Sequence, residues 1–152
     1  MYQYTDHSGI SLHDCRAAGM TAENGVLRFL FAEGFYVLAD NANNPHHALS
    51  YTDQSEAVFS INHRHMESYV TVYIYTDTDT ENKSLREEIS LAELSEMING
   101  GAELEFLSAY QGDQSFLFHC WLWFNEEPHH KECELIISAD EVTYKWNTLY
   151  PA

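Results

Sequence analysis

Apolar residues recur at every second position through most of this chain, and no other feature limits the fold so strongly. A period of two suits extended strands with one face toward a core, and it does not suit an amphipathic helix. In 26–32, Leu27, Phe29 and Phe31 share one face while Arg28 takes the other. In 69–76, Val70, Val72 and Ile74 alternate with Tyr69, Thr71, Tyr73 and Tyr75. Residues 116–124 are apolar on both faces, with Phe118, Cys120 and Leu122 on one and Trp121 and Trp123 on the other. That is the pattern of a central strand.

The same reading places strands at 13–20, 26–32, 35–39, 56–61, 69–76, 103–110, 116–124, 133–139 and 142–146. The first three are expected to form a meander, turning at Asn24-Gly25 and again at Glu33-Gly34. Residues 40–55 read as loop, as does the acidic stretch 77–83. A helix starts at Ser90, where Ser90 and Glu93 form a capping box. Leu91, Leu94 and Ile98 share its inner face, and Gly100-Gly101 ends it. The expected fold is mainly β (all-β or α+β), with about nine short strands and one short helix near 90–99. They would form an antiparallel sheet, sandwich or partly open barrel, as one domain over 1–152. No glycine-rich phosphate loop and no strand–helix alternation marks a parallel α/β fold.

The formal charge of −17 comes from 24 acidic residues against 7 basic ones. Such a surface repels nucleic-acid phosphates and anionic lipid heads and attracts basic proteins and cations, so nucleic acid and membrane are not expected partners. The longest nearly apolar run, 116–124, is far short of the roughly 20 residues of a membrane helix. Cys15, Cys120 and Cys133 are odd in number and form no C-x-x-C pair, and the opening Met-Tyr-Gln-Tyr-Thr-Asp carries no secretory signal. A reducing cytoplasm is the expected compartment.

Polar clusters supply the candidate sites. His13 and Cys15 sit two residues apart, as do His63 and His65, so each pair can share a face in the way a metal site uses. His63-Arg64-His65 ahead of a strand is similar to the opening of the cupin metal motif. Glu67 follows too closely, and the second, glycine-framed motif is missing, so no cupin residue is carried over. Asp77-Thr78-Asp79-Thr80-Glu81-Asn82, with Glu88 at the twelfth position, begins like a calcium loop. Asn82 replaces the required glycine, however, and a solvated acidic turn is the better reading. No cofactor motif and no serine elbow is present. His119 and Cys120 are strand neighbours on opposite faces, which leaves His13 and Cys15 without a third group as the remaining local pair.

If Val70, Val72 and Ile74 face the core, Tyr69, Tyr73 and Tyr75 form an outward ladder, unless a second layer such as the helix covers it. Beside it in sequence lie Asp77, Asp79, Glu81, Glu87 and Glu88. The leading expectation is a small acidic, non-catalytic binding module that uses these residues on a basic protein. In size and charge, though in no motif, the chain resembles bacterial immunity proteins, which cover the basic cleft of a nuclease toxin. A β-barrel or sandwich that binds a small ligand or metal through His13, Cys15, His63 and His65 is the alternative, and an enzyme of unassigned class stands third.

Overall fold

The computed structural model describes residues 2–78 and 83–152. Alternation becomes three antiparallel sheets. One sheet has five strands in the order β1 (Tyr2–Tyr4), β14 (Glu141–Trp146), β8 (Ser55–Ser60), β5 (Val26–Phe31) and β4 (Gly19–Glu23). The second has six, ordered β10 (Ser84–Ile89), β9 (Val70–Asp77), β13 (His130–Ser138), β12 (Ser115–Trp123), β11 (Glu103–Gly112) and β3 (Cys15–Ala17). Four very short strands make the third: β15 (Leu149–Pro151), β7 (Ser50–Thr52), β6 (Tyr36–Val37) and β2 (Ile10–Ser11). The helix α1 spans Leu91–Asn99.

The two larger sheets pack face to face through aromatic side chains. Phe29 of β5 meets Phe106 of β11 edge to face at 5.5 Å, and Phe59 of β8 meets Phe116 and Phe118 of β12 at 5.4 and 5.9 Å. Edge-to-face pairs of this kind add about 0.5–1.5 kcal/mol each beyond their buried area. Leu27, Phe29, Val70, Val72, Ile74, Phe118 and Cys120, the side chains that alternation assigns to the interior, are all buried. Phe35, in the segment between β5 and β6, packs on Phe31, Tyr144 and Trp146 and ties the third sheet to the same core.

The helix forms where its caps say. Ser90 Oγ accepts from the Glu93 N–H at 3.1 Å, and the Ser90 N–H donates to Glu93 Oε2 at 3.0 Å. Leu91, Leu94 and Ile98 are buried, and the helix bridges β4 of one sheet and β9 of the other from the core side. It therefore does not cover the outer face of the six-stranded sheet.

Four expectations need correction. The single strand over 13–20 is two strands in different sheets, β3 and β4, with the chain crossing over at Ala18. The first hairpin holds, with Asn24 and Gly25 both at positive φ. The second does not, because β6 leaves β5 and pairs with β2 and β7. Gly34, at φ 80°, sits so close to the Thr52 carbonyl that a Cβ would lie 2.2 Å from it. That approach steers the chain into the third sheet. Finally, Ser50–Thr52, inside the stretch 40–55 read as loop, is strand β7, and strands number fifteen among the described residues, not about nine, with edge strand β10 at Ser84–Ile89 among those the alternation does not mark.

Candidate functional site

Because Val72, Ile74, Cys120, Leu122, Cys133 and Leu135 point into the sandwich, their strand neighbours must point out. Register then sets those neighbours side by side. Arg86, Tyr75, Glu132, Trp121, Glu105 and Arg16 lie directly opposite one another in succession, one residue from each of the six strands. The adjacent row runs Glu88, Tyr73, Glu134, His119 and Ser108. The outer face is thus a lattice in which carboxylates alternate with aromatic rings. Its large side chains stay partly exposed, and Tyr110 at the far end is 64% exposed.

Contacts within the lattice hold these side chains in place. The Tyr75 hydroxyl donates to Glu134 Oε1 at 2.8 Å, and this bond, with burial second, raises the Tyr75 phenol above its ordinary pKa. Trp123 Nε1 donates to Glu105 Oε1 at 2.8 Å. His119 Nε2 and Glu132 Oε1 are 2.6 Å apart. The rings of Trp121 and His130 stack at 4.2 Å, and Trp121 and Trp123 stack at 5.6 Å. At the two flanks the chain supplies its own cations: Arg16 lies 4.6 Å from the centre of a Trp123 ring, and Arg86 lies 4.5 Å from that of Tyr73. Arg16 is also 4.0 Å from both Glu103 and Glu105.

A cleft of about 330 Å³ opens on this face, lined by Tyr75, Asp77, Trp121, Pro128, His130 and Glu132, with Thr76 and Lys131 completing it. A second depression, about 300 Å³, lies beside β3 and β6 and is lined by Cys15, Arg16, Tyr36, Tyr51 and Glu103 among others.

The candidate residues separate on this frame. Tyr73, Tyr75, Asp77 and Glu88 share the outer face. Tyr69 ends a short 3₁₀ turn and is exposed, with its ring 4.4 Å from that of His63. Glu87 is opposite Ile74, so it points to the other side of the edge strand, away from the tyrosines. Asp79 and Glu81, with Thr80 and Asn82 of the calcium-like loop, lie outside the described residues. Of the metal candidates, His13 is exposed and bonds the Leu107 carbonyl at 2.6 Å, while Cys15 is buried. His63 and His65 stay near each other, and the His65 N–H donates to His63 Nδ1 at 3.0 Å. The two pairs are not brought together, and among the described residues no three His, Cys, Asp or Glu side chains group as metal ligands.

Trp121, Glu132, Glu134 and Arg16 are site residues that sequence reasoning did not select, whereas Glu105 belongs to the acidic set it did expect on the recognition surface. Their signal was present, since Glu132 and Glu134 alternate with buried Cys133 and Leu135, but it joins the tyrosines only once the strand order is known. All three cysteines are free and buried. Burial pushes the Cys15 thiol up to about 11 and that of Cys133 up to about 12, and it raises Cys120 as well. None of them is a thiolate at neutral pH, the form nucleophilic attack requires. No helix among the described residues is long and apolar enough to cross a membrane. In comparisons with known proteins, no family model, no curated protein and no solved structure matches the chain.

Proposed function

We propose that this chain is a non-catalytic binding module whose partner is a protein with a basic surface, engaged by the outer face of the six-stranded sheet. The observation that carries this reading is the row Arg86, Tyr75, Glu132, Trp121, Glu105, Arg16, in which rings and carboxylates alternate across the whole sheet. Each component has a task. Tyrosine and tryptophan contribute large contact area at small entropic cost, and they dominate the energetics of protein interfaces. The carboxylates, within a chain of charge −17, steer a basic partner into encounter and penalise an acidic one. The hydrogen bonds from Tyr75 to Glu134 and from Trp123 to Glu105 hold the rings before binding, which lowers the ordering cost.

The test uses a panel of basic proteins on a biosensor and a charge-matched pair of variants. Neutralising Glu88, Glu105, Glu132 and Glu134 together to glutamine should abolish binding. Neutralising Glu23, Asp40, Glu96 and Glu141, which are exposed and lie off this sheet, should leave most of it. Wild-type affinity should fall at least about ten-fold between about 50 and 300 mM salt, mainly through the association rate. Equal losses in the two quadruple variants would mean that bulk charge, and not this face, does the binding.

A further inference from the structure

Granted a basic partner, the reading on which this site depends, the cleft between Tyr75 and Trp121 narrows that partner's chemistry. At each flank of the outer face the chain sets one of its own guanidiniums on a ring, with carboxylates in ion-pair range at the Arg16 flank. Arg16 lies over Trp123 with Glu103 and Glu105 at 4.0 Å, and Arg86 lies over Tyr73 with Glu88 two residues along its own strand. The middle of the face repeats the ring and carboxylate components. Glu132 is directly opposite Tyr75 on one side and Trp121 on the other, and the cleft they line also holds Asp77 and His130. Among the described residues no arginine lines it, although Arg86, directly opposite Tyr75, reaches the Tyr75 hydroxyl from beside it. Lys131 lines it, but it belongs to the inward register opposite Leu122, and Asp77 and Glu132 outweigh it.

We infer that this cleft receives one arginine side chain of the basic partner, with Tyr75 and the stacked Trp121–His130 pair as its aromatic walls and Glu132 as its counter-ion. Arginine suits it better than lysine for a physical reason. A guanidinium is planar, weakly hydrated and able to stack on a ring while its N–H edge meets a carboxylate, whereas an ammonium is a compact, strongly hydrated point charge. Glu132 already shares Oε1 with His119, and Oε2 has no hydrogen bond among the described residues, so an incoming N–H has an acceptor. The cleft's volume of about 330 Å³ is ample for one such side chain and too small for a folded element.

The experiment compares two peptides of equal charge, acetyl-hexaarginine amide and acetyl-hexalysine amide, titrated into the full chain with indole fluorescence as the readout. Hexaarginine should bind at least about five-fold more tightly and quench emission, because a stacked guanidinium gains a cation–π term that lysine gains less of. Trp121→Leu should erase the preference while keeping hexalysine affinity within about two-fold, since exposed charge supplies that part. Trp121→Phe keeps a ring and should retain part of the preference, which guards against a merely misfolded variant. Equal affinity for the two peptides, or a preference that survives Trp121→Leu, would overturn the arginine site. If both peptides bind equally and Glu132→Gln with Glu134→Gln weakens both, the acidic-face reading stands without it. If neither binds, both readings fall.

Discussion

Asn99, the last residue of α1, grips both backbone groups of Met20: its Nδ2 donates to the Met20 carbonyl at 2.9 Å, and the Met20 N–H donates to its Oδ1 at 3.1 Å. A side-chain amide thereby stands in for the strand that would otherwise lie beyond β4. It protects an edge where unpaired backbone groups would template association. Asn99→Ala should lower stability by about 1–3 kcal/mol, because two partly buried backbone groups lose their partner. Asn99→Asp keeps the acceptor but loses the donor, and should fall between the two in a chemical denaturation series. Unchanged stability in the alanine variant would show that water replaces the amide at no cost.

Acid sensitivity should pass through His7. Its ring bonds the buried Tyr144 hydroxyl and lies against Phe116 and Phe118. Burial holds its pKa below the ordinary value of 6.5, with Asp6 opposing more weakly. The unfolded chain therefore takes up this proton more readily than the folded one. The contribution is fully present above 6.5 and is lost as pH falls through the interval down to the folded value. Replacing His7 with Gln should flatten the stability slope in that interval when denaturant midpoints of the two proteins are compared. Asp6, whose pKa is lowered by hydrogen bonds from Ser8, acts in a separate window: its contribution is present above 3.8 and fades below it.

Glu87 and Glu88 offer a sharp contrast, since they are adjacent in sequence and on opposite faces of β10. Glu88→Gln should weaken binding of a basic partner about two- to five-fold at low salt, the range of an exposed ion pair. Glu87→Gln should leave it unchanged. The reverse order would place the interface on the other side of this edge strand.

Thiol chemistry should follow burial. Under denaturing conditions, a colorimetric titration should count the three free cysteines. In the native protein at about pH 8 all three should react far more slowly than an unfolded thiol of ordinary pKa near 8.5. A fast native thiol at Cys15, beside the depression it lines, would show that this edge of the sheet opens in solution.

The features legible in the chain are local: which residues are strand, which face is apolar, and where the helix starts. Those features depend on neighbours one to four positions apart, so Val70, Val72 and Ile74 on β9 and the Ser90 cap were legible directly. Edge strands were not. Ser84–Ile89 has its side chains exposed or half-exposed on both faces, so no apolar rhythm marks it, and pairing with β9 alone makes it a strand. The two- and three-residue strands of the third sheet are too short to show a period. The split of 13–20 between two sheets, and the departure of β6 from β5, depend on packing against Leu30 and Thr52, which are distant in sequence. The candidate site is the extreme case. Tyr75, Glu132, Trp121, Glu105 and Arg16 become neighbours because the strand order is β9, β13, β12, β11, β3. A period of two says which face each residue takes, but it carries no information about which strand lies beside which. Sheet order is settled by how the whole core packs, so the tertiary structure alone put the rings beside the carboxylates.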